Sequence, residues 1–347
     1  MSAASGGRLT DERRIVREVA AAVGLAEGER GVRAVLATIA RLEPVSTRRI
    51  SRAAALPVPI VAAVCGELRK RSVVAEQRPA QLTRAGRRLF AGGRLRLRTA
   101  SCRSCRSSGI VVPGELDALV RELSQAVRGG PPARLELDQC HCTVETKLRR
   151  LLAIHEAGAL VGRRVLLLGD DDLTSLALRR LVRSLGSHST LASLAVVDVD
   201  PALIAFLERE LTEAPFPVTC VEHDLRGPLP PALVGAFDTV VTDPPYTTAG
   251  ARLFLSRAAD ALDERGDVFL SFGSRRPDAA VQLQHAIVEL GFVIQSLRRD
   301  FNEYVGAGVL GGTSHLYHLA ASDELTPAVA GTFAGPLFTA DDRSSLS

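Results

Sequence analysis

The sequence predicts an α/β protein, with a largely parallel β-sheet in the C-terminal half and a small, mainly helical domain in front of it. From residue 163 onward, short apolar strand patterns alternate with amphipathic helix patterns. The 347 residues exceed what a single hydrophobic core usually supports. Residues 1–99 contain 20 Lys and Arg against 8 Asp and Glu, whereas residues 100–347 contain 23 against 31. We therefore expect a basic domain joined to an acidic one.

Seven apolar segments in the C-terminal half have the length and composition of β-strands. Helix patterns at 173–185, from 201, at 252–262 and at 281–290 lie between most of them, but the last two strands follow one another directly. A strand that returns without a crossover helix runs antiparallel to its neighbour. The pattern therefore predicts a Rossmann-like, seven-stranded sheet of the methyltransferase type, with strands at 164–168, 194–197, 218–221, 239–242, 268–272, 292–297 and 315–320.

The first 90 residues predict a winged helix-turn-helix domain. An apolar stripe at helical spacing is followed by helix patterns at 48–55 and 60–70, then by two short strand patterns and a last helix between residues 73 and 89. The stripe consists of Val32, Val35, Leu36, Ile39 and Leu42. In this fold the third helix often reads DNA. A dimerisation or substrate-docking module is the alternative, and the sequence leaves both open.

Glycine and proline clusters divide the rest of the chain into a connecting region at 91–150, a catalytic domain at 151–321 and a flexible tail at 322–347. The connecting region carries two cysteine pairs, Cys102 with Cys105 and Cys140 with Cys142. Four such cysteines are compatible with a tetrahedral structural zinc site. The second pair has the less usual Cys-x-Cys spacing, and free buried thiols are the alternative.

The composition also bears on the compartment. No apolar run reaches the roughly 18 residues that a membrane span needs, and the N-terminus has no apolar stretch like that of a secretory signal. Six cysteines in a chain of this length are too few for a disulfide scaffold. We therefore expect a cytoplasmic protein without a membrane partner.

Acidic residues follow four of the predicted strands, at the point where each strand ends. Ligands of an open parallel sheet bind beyond the carboxyl ends of its strands. A single Asp at such a position is often only a helix cap, but four clusters in register indicate a binding site. They are Gly169-Asp170-Asp171-Asp172, Asp198-Val199-Asp200, His223-Asp224 and Asp243-Pro244-Pro245-Tyr246.

Three of these clusters predict a nucleoside beside a nucleophilic nitrogen. Asp198 is placed to accept hydrogen bonds from a ribose diol, and Asp224 from an adenine amino group. The last cluster resembles the Asp-Pro-Pro-Tyr motif of amino-group methyltransferases. In that motif the carboxylate, here Asp243, and the carbonyl of the next proline, here Pro244, hold the nitrogen, and the tyrosine ring, here Tyr246, packs beside it.

The first loop departs from the methyltransferase pattern. A glycine-rich turn normally lets the methionine part of S-adenosylmethionine approach, but here one glycine is followed by Asp170, Asp171 and Asp172. Three carboxylates beside the carboxylate of that cosubstrate would cost about 1 kcal/mol or more for each close pair. Decarboxylated S-adenosylmethionine lacks the carboxylate and fits better.

These motifs together resemble the branched-chain polyamine synthase family, whose members are aminopropyltransferases of the N4-bis(aminopropyl)spermidine synthase type. The likeness extends over roughly residues 30–320 and includes the winged-helix front end. It is carried by Gly169-Asp170-Asp171-Asp172-Leu173-Thr174-Ser175, Asp198-Val199-Asp200, Asp243-Pro244-Pro245-Tyr246-Thr247, Asp138-Gln139, Thr143, Glu145, Thr146, Cys102 and Cys105. The cysteine pair lacks the glycines expected directly after it.

The resemblance implies that an aminopropyl group moves from decarboxylated S-adenosylmethionine to a nitrogen of spermidine or a related polyamine, and that methylthioadenosine leaves. A carboxylate must take the proton of the attacking amine, and the sequence leaves both Asp171 and Asp243 open for this role. Asp172 would hold an ammonium group of the polyamine.

Further residues have predicted roles at the same site. Gly169 and Asp170 would contact the cosubstrate, and Gln139 would contact the polyamine. Tyr304, in Asn302-Glu303-Tyr304, would cover the site, with a plain surface loop as the alternative.

Two other classes of protein compete with this interpretation. A nucleic-acid amino-methyltransferase would use the basic front domain for binding and Asp243 to Tyr246 for a flipped base. The three consecutive aspartates argue against it, because they repel both a cosubstrate carboxylate and a phosphate backbone. A transcriptional regulator with a ligand-sensing α/β domain is the second alternative. We expect a homodimer and no nucleic-acid partner.

Overall fold

A computed structural model of the chain describes residues 3–25, 27–54, 56–90, 100–101, 109–185, 191–273, 277–305 and 313–339. The chain divides into two compact units. The first comprises Met1–Leu97 and Ser187–Ala192, and the second comprises Arg98–Gly186 and Ser193–Ser347. The described helices include none that is both long enough and apolar enough to cross a membrane.

The described part of the first unit consists of helices packed around an aliphatic core. The predicted stripe lies on α2, where Val32, Val35 and Ile39 are fully buried. The first helix was not predicted, and it adds Val16 and Val19 to the same core. The helices are α1 Ala3–Val23, α2 Gly28–Leu42, α3 Thr47–Ala54, α4 Val58–Lys70 and α5 Arg84–Leu89.

The two strands predicted between α4 and α5 are present only as isolated antiparallel bridges. These bridges join Val45 to Ala80 and Val74 to Leu82. Helix α5 packs closely on this segment: a Cβ atom added at Gly86 would lie 2.1 Å from the carbonyl oxygen of Val73. A side chain at position 86 would therefore force the two backbones apart. The elements follow the order that the sequence predicts.

The second unit begins with a short hairpin and two helices. Strands β1 Ala100–Ser101 and β2 Ile110–Val111 pair antiparallel, and α6 Asp117–Arg128 and α7 Val144–Glu156 follow. Helix α7 was not predicted, and the expected domain boundary at residue 150 falls inside it. The buried residues of α7, including Leu148, Leu151 and Leu152, belong to the second unit. The two units divide at Leu97 and Arg98, so most of the predicted connecting region belongs to the second unit.

The predicted seven-stranded sheet is present in the second unit. Its strands are β3 Arg164–Leu168, β4 Ser193–Asp198, β5 Val218–Glu222, β6 Phe237–Thr242, β7 Leu262–Phe272, β8 Phe292–Glu303 and β9 Thr313–Ala321. Their order across the sheet is β5-β4-β3-β6-β7-β9-β8. Strands β3 to β7 are parallel, and β9 lies antiparallel between β7 and β8. The antiparallel closing strand was predicted correctly.

Four helices accompany this sheet: α8 Thr174–Ser184, α9 Pro201–Leu211, α10 Thr248–Ala261 and α11 Pro277–Glu289. The helix ends follow the local chemistry. Asp200 caps α9 by accepting a hydrogen bond from the Ala202 amide, and Thr247 caps α10 by accepting one from the Gly250 amide. The main apolar cluster combines residues of β3, β4, β6 and β7 with the inner faces of α10 and α11. This core fixes the strand ends at which the acidic clusters lie.

Residues 322–339 are bound to the second unit, although the sequence predicted a flexible tail from residue 322. Arg257 of α10 is fully buried, and its guanidinium donates hydrogen bonds to the carbonyl oxygens of Val329 and Gly331, each at 2.7 Å. A buried guanidinium needs acceptors, and the backbone of this segment supplies them. Such a requirement on a distant arginine is not visible in the composition of the segment.

The same C-terminal segment then reaches two loops at the carboxyl edge of the sheet. Thr247 donates from its hydroxyl to the carbonyl oxygen of Leu337 at 2.8 Å. The amide of Thr339 donates to the carboxylate of Asp138 at 2.6 Å. The segment therefore joins the loop after β6 to the loop before α7.

Candidate active site

The carboxyl ends of β3 and β6 form the switch point of the sheet. The chain passes from β3 to β4 on one side, whereas β6 pairs with the other side of β3. Ligands of open α/β sheets bind in the crevice at such a point. Leu168 at the end of β3 is in register with Thr242 at the end of β6. The predicted clusters at 169–172 and 243–246 therefore lie side by side.

Asp170 is turned into the protein and caps helix α8. Its carboxylate accepts hydrogen bonds from the amides of Thr174, at 2.7 Å, and Ser175, at 3.2 Å, and from the Ser175 hydroxyl. Gly169 makes the turn possible because its φ of 74° lies in the left-handed region. The helix amides that would otherwise be available to an anionic ligand are thus already occupied.

Asp171 and Asp172 are held by the segment that precedes α7. The amide of Cys140 donates to Oδ2 of Asp171 at 3.0 Å, and the amide of Cys142 donates to Oδ1 of Asp172. Asp172 also forms a buried ion pair with the guanidinium of Arg150. No cationic side chain of the described residues forms an ion pair with Asp171. The two neighbouring carboxylates therefore differ in their charge environment.

Asp243 ends a chain of phenolic hydroxyls. Tyr246 donates from its hydroxyl to that of Tyr304 at 2.6 Å, and Tyr304 donates to Oδ2 of Asp243 at 2.6 Å. The two rings meet edge to face, with centroids 6.3 Å apart. Pro244 is buried behind Asp243. Tyr304 directly follows β8 and belongs to this network, and its role in covering the site stays a prediction.

A buried arginine connects these groups. Arg150 of α7 donates from Nε to Oδ1 of Asn302 at 2.8 Å. One terminal nitrogen contacts Asp172, and the other donates to Oδ2 of Asp243 at 2.8 Å and to the Tyr304 hydroxyl at 3.1 Å. Arg150 thereby links the ends of β3, β6 and β8 through a single guanidinium.

The electrostatic state of the carboxylates follows from their partners. Burial and the nearby charges of Asp172 and Asp243 raise the pKa of Asp171 well above its usual range. Burial also raises the pKa of Asp170 and of Asp243, each to about 7. Burial acts in the same direction on Asp172, but Arg150 and Lys147 outweigh it and hold the pKa of Asp172 well below its usual range. The site therefore has an excess of carboxylates that favour an added positive charge.

The remaining predicted residues lie around this centre. Asp198 accepts from the amides of Asp170, at 3.0 Å, and Asp200, at 2.9 Å, so its carboxylate is fixed beside the first loop. Asp224 lies apart from the network and forms an ion pair with Arg226. Gln139 is nearly buried, and its side-chain oxygen accepts from the Arg134 amide at 2.9 Å. Roles for these residues toward a ligand stay predictions.

The cysteines are only partly described. Cys102 and Cys105 lie outside the described residues, and Cys140 and Cys142 are free thiols. Burial raises the pKa of Cys140 to about 11 and that of Cys142 to about 12, which favours the thiol over the thiolate that zinc binds. Within the described ranges, no group of three or more His, Cys, Asp or Glu side chains is arranged to hold a metal ion. The zinc site stays a prediction.

Sequence reasoning missed the cationic and amide side chains of the site. Lys147 and Arg150 lie three residues apart in α7, with apolar residues at 148, 151 and 152. Two cations at helical spacing within an otherwise buried stretch are a signal for internal ion pairing. Asn302 carried no comparable signal, because most of the strand before it is exposed and residues 298–300 are charged.

The strand order and the carboxylates at its switch point fit a group transferase with a methyltransferase-like fold. The protein-family model described as the branched-chain polyamine synthase A C-terminal domain matches residues 118–324 of this chain. The N(4)-bis(aminopropyl)spermidine synthase of Thermococcus kodakarensis is 33% identical over 263 residues, which cover 73% of this chain and 72% of that protein. An uncharacterized protein of Methanocaldococcus jannaschii is 34% identical over 315 residues, 89% of this chain and 78% of that protein.

A solved structure agrees with these relatives over nearly the whole chain. The branched-chain polyamine synthase of Thermus thermophilus, in complex with N4-aminopropylspermidine and 5'-methylthioadenosine, superposes with a TM-score of 0.58 at 25% identity. The match covers 94% of this chain and 98% of that chain. This chain belongs to the branched-chain polyamine synthase family.

Proposed function

We propose that this protein transfers the aminopropyl group of decarboxylated S-adenosylmethionine to a nitrogen of a polyamine and releases methylthioadenosine. The observation that carries the proposal is the charge balance at the switch point. Asp170, Asp171 and Asp243 have raised pKa values because burial and neighbouring carboxylates disfavour their charged forms. Both reactants of an aminopropyl transfer bring ammonium groups that compensate these charges. Family membership supports the same assignment.

The choice of cosubstrate follows from the first loop. In an S-adenosylmethionine site of this fold, a carboxylate approaches the loop after the first strand and the helix that follows it. Here Asp170 supplies that carboxylate from within the protein and already accepts from Thr174 and Ser175. A cosubstrate without a carboxylate avoids both the repulsion and the competition for these donors. Asp198 is the residue that we assign to the ribose diol.

The acceptor nitrogen is assigned to the Asp243 carboxylate. Both described donors to Asp243, from Arg150 and Tyr304, bind Oδ2, so Oδ1 remains for the substrate. The rings of Tyr246 and Tyr304 are held beside this carboxylate by their own hydrogen bond. These fixed donors orient Asp243 before the polyamine binds.

We assign proton removal to Asp171. It has the more strongly raised pKa of the two candidate bases and, among the described residues, no ion-pair partner. The ammonium groups of a bound polyamine lower this pKa toward neutrality, where a general base is most effective. In the reaction the nitrogen lone pair forms a bond to the methylene carbon beside the sulfonium. The carbon–sulfur bond breaks with its electron pair on sulfur, and the proton of the new ammonium passes to Asp171.

We also propose that the first unit is a winged-helix domain that serves assembly or acceptor entry, in a cytoplasmic homodimer, and does not bind nucleic acid. In such a domain α4 would be the reading helix, but residues 58–66 contain no Lys or Arg. The basic residues at its C-terminal end are engaged, since Lys70 and Arg71 both pair with Glu67. The free thiols of the described cysteines support a reducing compartment.

A salt titration tests the last proposal. A reader of duplex DNA that contacts six phosphates would show a log–log slope of affinity against salt of roughly −5. We expect only weak, salt-sensitive binding that is lost at near-physiological salt. Sequence-selective binding under those conditions would refute the assignment, and sedimentation of the full chain reports the oligomeric state.

The main proposal is tested by offering both cosubstrates with a panel of polyamines. Mass spectrometry should detect products heavier by one or two aminopropyl groups, together with methylthioadenosine, only with the decarboxylated compound. Thermal unfolding with each adenosyl compound alone provides an independent measure of binding. Methyl transfer from S-adenosylmethionine to any of the amines, without aminopropyl transfer, would overturn the proposal.

A further inference from the structure

The position of Arg150 suggests a role beyond holding the fold together. Its guanidinium lies 2.8 Å from Oδ2 of Asp243, the carboxylate assigned to the acceptor nitrogen, and is itself fully buried. A nitrogen hydrogen-bonded at ordinary length to the other oxygen of Asp243 would lie about 5 Å from this guanidinium. At that distance and degree of burial, a fixed positive charge strongly disfavours a second one.

Titratable groups of several elements face Arg150 or its direct partners. The segment before α7 and α7 itself contribute Cys142 and Lys147. The loop after β3 contributes Asp171 and Asp172, the loop after β6 contributes Asp243 and Tyr246, and β8 contributes Tyr304. Arg150 forms direct ion pairs with both Asp172 and Asp243, so the two carboxylates share one guanidinium.

A polyamine presents the site with a chemical difficulty. Its nitrogens are protonated near neutral pH, but only an unprotonated nitrogen can attack the aminopropyl carbon. A site made of carboxylates alone would attract the ammonium form and stabilise it. The reacting position therefore needs a local element that acts against the general acidity of the crevice.

We infer that Arg150 is a positioning residue whose fixed positive charge keeps the acceptor nitrogen beside Asp243 in its unprotonated, nucleophilic form. The other ammonium groups of the polyamine remain bound to the carboxylates that no arginine contacts. Asp171 is one of these carboxylates until it takes the proton. The site thus distinguishes the nitrogen that reacts from those that only bind. This inference rests on the proposed aminopropyl transfer.

The test is the pH dependence of kcat, which reports ionisations in the enzyme–substrate complex. Arg150→Gln removes the charge and should move the acidic limb of the profile to higher pH by about one unit. At a fixed pH on that limb, kcat should therefore be about tenfold lower than in the unchanged protein. Binding of methylthioadenosine, followed by thermal unfolding, checks that the nucleoside site persists. Arg164→Gln, which removes an arginine at the opposite end of β3, is the matched control and should leave the limb where it is.

Three further variants separate charge from geometry and remain informative if Arg150→Gln does not fold. Arg150→Lys keeps the charge and should keep the limb close to its original position, even though kcat falls. Tyr304→Phe removes the other donor to Asp243 without changing charge and should also leave the limb in place. The double variant Arg150→Gln with Asp172→Asn removes one charge of each sign and should return the limb toward its original position.

The outcomes distinguish this inference from the proposed function. If the unchanged protein makes no aminopropylated polyamine, the proposed function fails. If it does, the two Arg150 variants decide about the inference. If Arg150→Gln and Arg150→Lys lower kcat to the same extent and neither moves the acidic limb, Arg150 only supports the structure and the inference is wrong.

Discussion

At the amino ends of β3 and β6, one arginine satisfies the carboxylates around it, whereas at the carboxyl ends of the same strands one arginine is surrounded by more carboxylates than it can pair. Arg164 binds Asp238 at 2.8 Å and Asp263 at 2.7 Å. Although burial raises the pKa of Asp238, its hydrogen bonds with Arg164 lower it below the usual value. Asp243 at the other end keeps a raised pKa in spite of Arg150.

The two ends differ in whether the chain itself supplies the positive charge that balances their carboxylates. At the Arg164 end the ion pairs form within the chain, so the structure indicates a role in stability there. The carboxyl end has Asp170, Asp171, Asp172, Asp198 and Asp243 against Arg150 and Lys147 in the described part of the chain. A charge excess retained in a buried site indicates that a ligand supplies the missing positive charge.

The largest expected effect is on Asp171. Asp171→Asn keeps the shape but cannot take a proton, so turnover should fall by about two to three orders of magnitude, the usual contribution of a general base. Affinity for methylthioadenosine should change little. Steady-state kinetics and equilibrium binding measure the two quantities.

Asp243→Asn is the matched variant for this comparison. It should also lower turnover, because the acceptor nitrogen is held less firmly. The pH profile of this variant should still show that one base must be deprotonated for activity. If Asp243→Asn loses activity as completely as expected for Asp171→Asn, while Asp171→Asn keeps near-normal turnover, the two roles must be exchanged.

A smaller effect is expected from Asp170. Asp170→Gly removes the internal carboxylate and exposes the amides of Thr174 and Ser175 to a ligand carboxylate. The preference for decarboxylated over carboxylated cosubstrate should narrow about tenfold, because one close charge repulsion is lost and two helix amides become available to the ligand carboxylate. The lost cap should also cost about 1 kcal/mol of stability.

Asp170→Asn is the control for this change, since it keeps a cap of the same shape and removes only the charge. It should narrow the preference less than glycine does. An unchanged preference in both variants, measured by competitive binding of the two adenosyl compounds, would show that Asp170 does not select the cosubstrate.

The third prediction concerns pH. Asp170 and Asp243 have a pKa of about 7 in the folded protein against an ordinary value of 3.8. A carboxyl group whose pKa is raised on folding stabilises the fold fully below its unfolded pKa and loses that contribution as the pH rises through the folded pKa. Between about pH 4 and pH 7 these groups should therefore make the ligand-free protein progressively less stable. Asp172, with a lowered pKa, acts in the opposite direction and only at more acidic pH.

Spermidine should reverse this trend, because it supplies positive charge to the ionised carboxylates. The increase in melting temperature on adding spermidine should be larger at pH 7.5 than at pH 5, by about 2 °C or more. Differential scanning calorimetry measures both series. An equal shift at the two pH values would mean that the raised carboxylates do not bind the polyamine.

The smallest effect on activity is expected at the opposite end of the strands. Arg164→Gln leaves the backbone amide of residue 164 bonded to Asp238 but removes the ion pairs, so the free energy of unfolding should fall by about 1 kcal/mol. Turnover and the pH profile should not change. A loss of activity without loss of stability would show that the two ends of β3 are coupled.

Most of the sheet could be predicted because its signals are local. Apolar strands separated by amphipathic helices produce a period that a sequence displays directly. Asp170, Asp198 and Asp243 could also be located, since each follows a strand and parallel strands end at the same edge. Their internal bonds were not predictable: nothing in the sequence indicated that the Asp170 carboxylate caps α8, and its contact with the cosubstrate stays a prediction.

Helix α7 marks the limit of the sequence argument. Its charged first half, Glu145 to Arg150, lowered its apolar character, so that no helix was predicted over Val144–Glu156. Burial of Lys147 and Arg150 depends on carboxylates that are more than twenty residues away in sequence. Propensity and periodicity describe neighbours along the chain and cannot represent such pairs.

The bonds made by residues 329–339 also affect the order of events during synthesis. Val329 and Gly331 accept from Arg257, and Leu337 and Thr339 contact the two loops that carry Thr247 and Asp138. These residues leave the ribosome after every strand of the sheet. Domains fold largely in the order of synthesis, and contacts between distant parts of a chain form late. A nascent chain should therefore have a folded sheet before its site loops are joined, so that activity appears only in the last stage of production.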